Sequence, residues 1–275
     1  GAALSLTVAA RLFGDQRYES AAGRIIDVLL ARQSPEGWFP EYGGADPGYQ
    51  TLCFDYLTAV AEQRPSDQLT LALDRSVEFL KWFVHPDGTV GGIYGSRRTS
   101  LAYLGGLARW AAVNPMAAAM CDAASRAMAE GALAGPATMD AGNLAPMLTS
   151  TMASLAIRPP VNGGSPEAGR GAAPAAALPC DTTGARIDFP AAGLHVRSGA
   201  RYYAIVGASN GGTVTVFSRP GGRLLLDDGG YVAEGTDGAR STTQSAAGAQ
   251  LAGDAIAIEV PFVGMATAVP TPARF

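Results

Sequence analysis

The sequence is poor in the residues that mark a metal site or a disulfide framework. It has 3 cysteines and 2 histidines in 275 residues. The cysteines, Cys53, Cys121 and Cys180, are odd in number and far apart, so they match neither a disulfide framework nor metal-ligand spacing. The sequence therefore predicts no metal site, and it indicates no cofactor.

Charge is scarce as well. Charged residues make up 16% of the chain, and the formal net charge is −4 with no basic cluster. This balance excludes a general nucleic-acid binder. The 48% of hydrophobic residues is enough for one large core or two moderate ones.

Long apolar runs are also lacking. The alanine-rich segment 117–134 is interrupted by Asp122, Arg126 and Glu130. No segment reaches the roughly 18 apolar residues of a membrane span, so we predict none. The chain has no initiating methionine and no leader-like segment, from which we expect a processed, trimmed or partial chain.

What the sequence does have is two loops of similar design. The first, residues 33–44, reads QSPEGWFPEYGG, and the second, residues 84–97, reads VHPDGTVGGIYGSR. Pro35 and Pro86 are 51 residues apart, and one inserted residue then aligns Tyr42 with Tyr94. A repeat of this length with two helical patterns inside it predicts stacked helical hairpins whose loops gather on one rim.

Apolar residues recur at helical spacing through the first part of the chain, as at Ala22, Ile25, Ile26 and Leu29. Asp15 and Ser66 are predicted to cap helices, and Pro146 to kink one. The predicted helices are 1–13, 15–33, a segment from about 50 to 64, 66–84, 99–113, 115–134 and 139–155.

The pattern changes twice after the last helix. Residues 157–190 are rich in Pro, Gly and Ala and predict a linker. From Leu194 apolar residues alternate, as in Thr213–Phe217, with turn signals such as Asp228–Gly230 between short strands. The predicted fold is multidomain, α then β, with a helical domain 1–156, the linker, and an antiparallel sheet domain 191–275.

Several short blocks, in this order, resemble the heparinase II/III-like proteins. In the helical part they are residues 37–39, 41–44, 46–49, 85–88 and 92–97, and in the sheet part 193–199, 211–212 and 228–231. The resemblance implies an incomplete α/α toroid followed by a C-terminal β-sandwich. It also implies a polysaccharide-directed protein, typically a lyase that acts on uronic-acid sugars.

The rim loops supply the residue types that such a β-elimination needs. A positive group must neutralise the sugar carboxylate, a base must remove the adjacent proton, and an acid must protonate the leaving oxygen. Tyrosine near a cation can exchange protons, and the planar fork of arginine suits a carboxylate. We predict Tyr49, Tyr94 and Arg97 as catalytic residues. The predicted substrate-binding residues are Trp38, Glu41, Tyr42, Asp46 and Arg98.

Structural roles compete with these assignments. Trp38 would close the end of a helix pair, and Arg97 would pair with Glu41 or Asp46 to join the loops. His85, which precedes a proline, would cap the end of a helix, where its charge is favoured, and His195, on a predicted strand, would be a packed or surface residue.

Three functions stay open. The first is a lyase acting on acidic polysaccharide or oligosaccharide, or an inactive or truncated form of one. The second is a non-catalytic glycan-binding or assembly protein of a polysaccharide pathway, since histidine is so scarce. The third is a toroid glycoside hydrolase that uses Glu41 and Asp46 as acid and base.

Overall fold

The computed structural model describes residues 1–157, 176–209, 211–244, 250–252 and 255–265. Helices come first along the chain and strands second. This confirms the predicted order of a helical part followed by antiparallel sheets.

The helical part contains seven α-helices among the described residues. They are α1 Ala2–Phe13, α2 Gln16–Ala31, α3 Pro47–Gln63, α4 Asp67–Leu80, α5 Leu104–Trp110, α6 Pro115–Ala129 and α7 Ala141–Ile157. A 3-10 turn, Lys81–Phe83, extends α4, and another, Pro136–Thr138, precedes α7.

Side-chain caps fix where these helices begin. Asp15 accepts a hydrogen bond from the amide of Arg17, and Ser66 accepts one from the amide of Leu69. Both predicted caps are confirmed. Each satisfies a backbone N–H that has no partner inside its helix.

Helix α5 is shorter than the predicted helix 99–113. Residues before Leu104 are extended, with isolated bridges that join Ser100 to Gly91 and Leu101 to Ala134. A Cβ at Gly106 would lie 2.6 Å from the Cα of Asp55 in α3. The glycine pair therefore lets α5 approach α3 closely, which helical periodicity does not reveal.

The strands form three antiparallel sheets. The largest has the order β1-β2-β3-β4-β5, the second β10-β7-β6, and β8 pairs with β9. Their bounds are β1 Arg186–Phe189, β2 Leu194–Ser198, β3 Tyr202–Gly207, β4 Thr213–Ser218, β5 Leu224–Asp228, β6 Val232–Glu234, β7 Arg240–Thr242, β8 Gln250–Ala252, β9 Ala255–Ala257 and β10 Val263–Gly264.

One hydrophobic core runs through both parts of the chain. Phe79 and Phe83, at the end of α4 and in the turn after it, pack against Phe189 of β1 with ring centroids 5.0 and 5.7 Å apart. The hydroxyl of Tyr203 in β3 donates to the carbonyl oxygen of Trp82 over 2.6 Å. The large sheet therefore packs directly on the end of α4 and the loop that follows.

Most of the predicted linker 157–190 lies outside the described residues. Its last part holds a 3-10 turn, Pro179–Asp181, and strand β1, while Ile157 still belongs to α7. Leu178, Cys180 and Phe189 are buried. The large sheet thus begins at Arg186, inside the range assigned to the linker, because Ile187 and Phe189 supply apolar residues to it. Among the residues described, no helix has the length and apolarity needed to cross a bilayer.

Candidate functional site

The first rim loop ends in a tight hairpin. Glu41 and Gly44 exchange both backbone hydrogen bonds, at 2.9 and 3.2 Å. The two residues between them, Tyr42 and Gly43, have φ of 51° and 82°. Two central residues with positive φ are the signature of a type I′ turn. The turn leaves the Tyr42 side chain in water, with 80% of the residue exposed.

Asp46 holds Tyr49 and Arg97 in place through hydrogen bonds to their backbone amides. It caps α3 by accepting a hydrogen bond from the amide of Tyr49 at 2.9 Å, which sets Tyr49 on the first turn of that helix. Its second carboxylate oxygen accepts a hydrogen bond of 2.7 Å from the amide of Arg97, in the second loop. A Cβ at Gly95 would lie 2.6 Å from this same oxygen. Glycine is therefore needed for the second loop to reach Asp46.

The Arg97 side chain lies between two tyrosine rings. Its guanidinium carbon is 4.4 Å from the ring centroid of Tyr42 and 4.1 Å from that of Tyr49. Its Nη1 donates to Glu41 Oε1 over 3.0 Å. The side chain keeps 32% of its surface exposed. We name these four residues, Glu41, Tyr42, Tyr49 and Arg97, the arginine cluster.

The surroundings of Arg97 favour its charged form, whereas burial disfavours the charged form of the Asp46 carboxyl. The hydrogen bond from Arg97 to Glu41 raises the pKa of the guanidinium, and the neighbouring tyrosines act in the same direction. Burial raises the pKa of the Asp46 carboxyl, although hydrogen bonds from the amides of Tyr49 and Arg97 oppose that rise. Asp46 is only 2% exposed, and both of its oxygens are occupied. It is a structural anchor that a ligand does not reach.

A pocket of about 200 Å³ opens beside the cluster. Glu41 and Tyr49 form part of its wall, and the rest is largely apolar. The helix α3 contributes Tyr49, Leu52, Cys53 and Tyr56, at the spacing of one helical face. Sequence reasoning assigned none of the last three to the site. The signal that could have found them is the helical repeat counted onward from Tyr49.

Tyr94 lies elsewhere, inside the core. It is 0% exposed, its ring centroid is 5.6 Å from that of Phe83, and its hydroxyl is 2.7 Å from His85 Nε2. His85 Nδ1 is in turn 2.7 Å from the hydroxyl of Thr89, and the His85 ring stacks on Phe217 of β4. Burial raises the pKa of Tyr94 well above its usual value. Tyr94 therefore does not join Tyr49 and Arg97 at the surface, because the large sheet covers it.

Two other predicted binding residues have structural contacts. Trp38 is buried and donates from Nε1 to Glu36 Oε2 over 2.9 Å. Glu36 also accepts hydrogen bonds from the amides of Ala191 and Ala192. These bonds join the first rim loop to the sheet part. Arg98, with φ of 56°, donates to the carbonyl oxygen of Gln244 over 3.4 Å. Arg98 is adjacent to the arginine cluster in sequence and contacts the sheet part.

His195, the second histidine, also lies in the sheet part. It is buried, and its Nδ1 is 2.8 Å from Asp188 Oδ1. Neither histidine is therefore free at the surface. Within the described ranges, no three His, Cys, Asp or Glu residues are grouped so that they could hold a metal ion. Comparisons with protein-family models, with curated proteins and with solved structures found no match to this chain.

Proposed function

We propose that this protein acts on acidic, uronate-containing polysaccharide and cleaves it by β-elimination at the arginine cluster. The observation that carries the proposal is an arginine side chain, 32% exposed, whose guanidinium carbon lies 4.1 and 4.4 Å from the centroids of two tyrosine rings. A planar cation in this position can bind a sugar carboxylate through two N–H groups. The exposed Tyr42 ring offers a face on which a sugar ring can stack.

The proposed fold is an incomplete α/α toroid with part of a β-sandwich, as in heparinase II/III-like proteins. Helices adjacent in sequence pack together, α1 with α2, α3 with α4, and α5 with α6. The two loops that carry the arginine cluster both leave the C-terminal ends of helices in this array. This supports a shared rim, and the antiparallel meander of the large sheet supports a sandwich half.

In the proposed reaction Arg97 binds the carboxylate and makes the adjacent C–H more acidic. Tyr49, as phenolate, removes this proton while the ring carbon–oxygen bond to the leaving sugar breaks and a carbon–carbon double bond forms. With Tyr94 buried, Tyr49 also returns the proton to the leaving oxygen. One group can do both when proton and leaving oxygen lie on the same face of the sugar.

The test is incubation of the protein with uronate polymers while the absorbance of the new unsaturated bond is followed. We expect a signal with at least one polymer. Tyr49→Phe should lower the rate by about 10²-fold or more, because it removes the proton-transferring group. Tyr231→Phe, which changes an exposed tyrosine of the sheet part, is the matched control and should leave the rate unchanged. Turnover that survives in the Tyr49→Phe variant would refute the role of Tyr49.

A second candidate is a glycan-binding protein without turnover. The burial of Tyr94, His85 and His195 favours it, because it leaves few groups that can exchange protons at the cluster. This candidate predicts that glucuronate oligosaccharides bind equally well to the chain and to the Tyr49→Phe variant. It also predicts that Arg97→Gln abolishes binding and that no polymer is cleaved.

The hydrolase alternative has less support. It requires Glu41 and Asp46 to face the sugar from two sides. Asp46 is buried and both of its oxygens accept backbone hydrogen bonds. Glu41 is paired with Arg97. Neither carboxyl is arranged as a free acid or base.

A further inference from the structure

The pocket beside the arginine cluster has walls from three helices, and the proposed reaction uses little of it. Leu4 of α1, Leu29 of α2 and Leu52 and Val60 of α3 line it. Leu4, Leu29 and Leu52 are half-buried, so part of each side chain stays open to the pocket. Apolar walls offer few hydrogen bonds to water, so an apolar group that replaces this water is bound favourably.

The wall of the pocket carries little charge. Among the described residues that line it, Glu41 supplies the one acidic side chain, and none is a lysine, an arginine or a histidine. Cys53 also lines the pocket, and burial raises the pKa of its thiol to about 12. A thiol that keeps its proton behaves as a small apolar side chain. Most of the wall is therefore suited to an apolar group.

The charged end of the pocket lies next to Arg97. Glu41 and Tyr49 belong both to the pocket wall and to the arginine cluster. Glu41 accepts a hydrogen bond from Arg97 Nη1, and no described residue accepts one from Nε or Nη2. These two nitrogens form an edge of the guanidinium that can hold a carboxylate through two parallel hydrogen bonds. A ligand with an acid at one end and an apolar group at the other matches both features.

We propose that this pocket binds an apolar substituent of the acidic sugar whose carboxylate Arg97 holds, a group up to the size of a phenyl ring. The inference rests on the proposed function, and it narrows the substrate to uronate sugars that carry such a group. The size of the pocket fits this occupant. An apolar cavity of about 150 Å³ is enough to hold benzene, and the pocket has a volume of about 200 Å³.

Calorimetric titration with three small sugars tests the proposal. Methyl glucuronide carries the acid alone, phenyl glucuronide carries the acid and an apolar ring, and phenyl glucoside carries the ring alone. We expect phenyl glucuronide to bind at least about tenfold more tightly than methyl glucuronide, because its ring removes apolar surface from water. Phenyl glucoside should bind more weakly than phenyl glucuronide, because it has no carboxylate for Arg97. Equal affinities for the two glucuronides would overturn the proposal.

Two variants of the wall connect this preference to the pocket. Leu52→Gln places an amide in the wall and should remove most of the preference for phenyl over methyl glucuronide. Leu71→Gln is the matched control and should keep the preference, since Leu71 is 52% exposed on α4 and lies outside this pocket. If Leu52→Gln does not fold, Cys53→Met, which fills the pocket with apolar atoms, should have the same effect. A preference that persists in the folded variant would contradict the assignment of the pocket.

The three sugars also separate this inference from the function on which it rests. If methyl glucuronide binds and the phenyl ring adds no affinity, the role of Arg97 stands and the pocket proposal fails. If phenyl glucoside binds as tightly as phenyl glucuronide and Leu52→Gln weakens both, the pocket takes the apolar group and the role of Arg97 fails. Binding of none of the three sugars would overturn both proposals.

Discussion

The first rim loop exposes Tyr42 to water, and the second buries Tyr94 beneath the sheet, although both loops contain the same Pro–acid–Gly turn. Tyr42 is 80% exposed, whereas Tyr94, its counterpart in the repeat, is 0% exposed. The turns themselves are alike. A Cβ at Gly37 would lie 2.1 Å from the carbonyl oxygen of Arg75 in α4, and one at Gly88 would lie 2.5 Å from that of Ala123 in α6.

The two loops differ in exposure because different parts of the molecule cover them. The second loop contacts the large sheet through His85 and Tyr94, while the first presents its hairpin to solvent. Ser96 and Arg97 connect the second loop to the first, because the Ser96 hydroxyl donates to the carbonyl oxygen of Glu41 and the Arg97 side chain donates to the Glu41 carboxylate and packs on Tyr42. The repeat therefore supplies two equivalent turns, and the tyrosine that follows is exposed in the first loop and buried in the second.

The largest expected effect separates the two tyrosines. Tyr94→Ala removes a fully buried ring and its contacts with Phe83 and His85, so we expect a loss of about 3–5 kcal/mol in the free energy of unfolding. Tyr42→Ala should cost less than about 1 kcal/mol, because it removes only an exposed contact with Arg97. Urea unfolding measures both. Similar losses of unfolding free energy in the two variants would contradict the assignment of Tyr94 to the core and Tyr42 to the surface.

The next largest expected effect is a pH dependence of the free energy of unfolding that arises from His85, in the second loop. Burial lowers the pKa of His85 from 6.5 to about 4, while the charge of Asp87 opposes this. The unfolded chain then binds this proton more readily than the folded one. The contribution of neutral His85 to the free energy of unfolding is therefore complete above about pH 6.5. It is lost as the pH falls from about 6.5 to about 4, and the loss is on the order of 2–3 kcal/mol. Unfolding curves across this window measure it.

The control for this prediction is His85→Gln. The variant should be less stable at neutral pH, but its stability should fall less steeply with acidification across the same window. A variant that follows the original curve in parallel would assign the pH dependence to the carboxyl groups.

The two turns should respond alike to Gly→Ala. Gly37 and Gly88 have φ of 98° and 80°, and each lies against a helix backbone, so we expect each substitution to cost about 2 kcal/mol or more. Gly43, with φ of 82° and nothing within 4 Å of a Cβ, is the control for conformational strain alone. Gly43→Ala should cost about 1 kcal/mol. Equal losses at all three would remove close packing from the explanation.

The smallest effect on stability concerns the ion pair that joins the loops. Glu41→Gln should cost less than about 1 kcal/mol, because the pair with Arg97 is partly exposed. It should raise the affinity for glucuronate at low salt, since the carboxylate that occupies Arg97 is gone, and salt should reduce the gain. Calorimetric titration measures this. Glu234→Gln, which breaks the exposed pair with Arg240, is the control and should leave affinity unchanged.

Much of the fold follows from local patterns in the sequence. Apolar spacing and caps locate the starts of α2 and α4, since Asp15 and Ser66 each accept a hydrogen bond from their own helix. Alternation and glycine turns locate β2 to β5 of the large sheet, whereas β1 lies inside the range predicted to be a linker. The segment before α5 escapes this reasoning because long-range bridges of Ser100 and Leu101 hold it extended.

The candidate site follows from the sequence only in part. The spacing of the first rim loop is enough to predict Glu41, Tyr42 and Tyr49 as site residues, and Arg97 is predicted because arginine suits a carboxylate. Nothing local distinguishes Tyr94 from Tyr42, because the burial of Tyr94 depends on a sheet formed more than ninety residues later.

The left-handed backbone of Tyr42 has a consequence for anyone who evolves this protein in the laboratory. A side chain at φ of 51° with most of its surface in water adds strain and little packing. Selection for thermal tolerance alone would favour glycine or asparagine there and would discard the ring. A library ranked by melting temperature should therefore lose the Tyr42 ring, and with it the proposed carbohydrate contact, before the other residues of the arginine cluster.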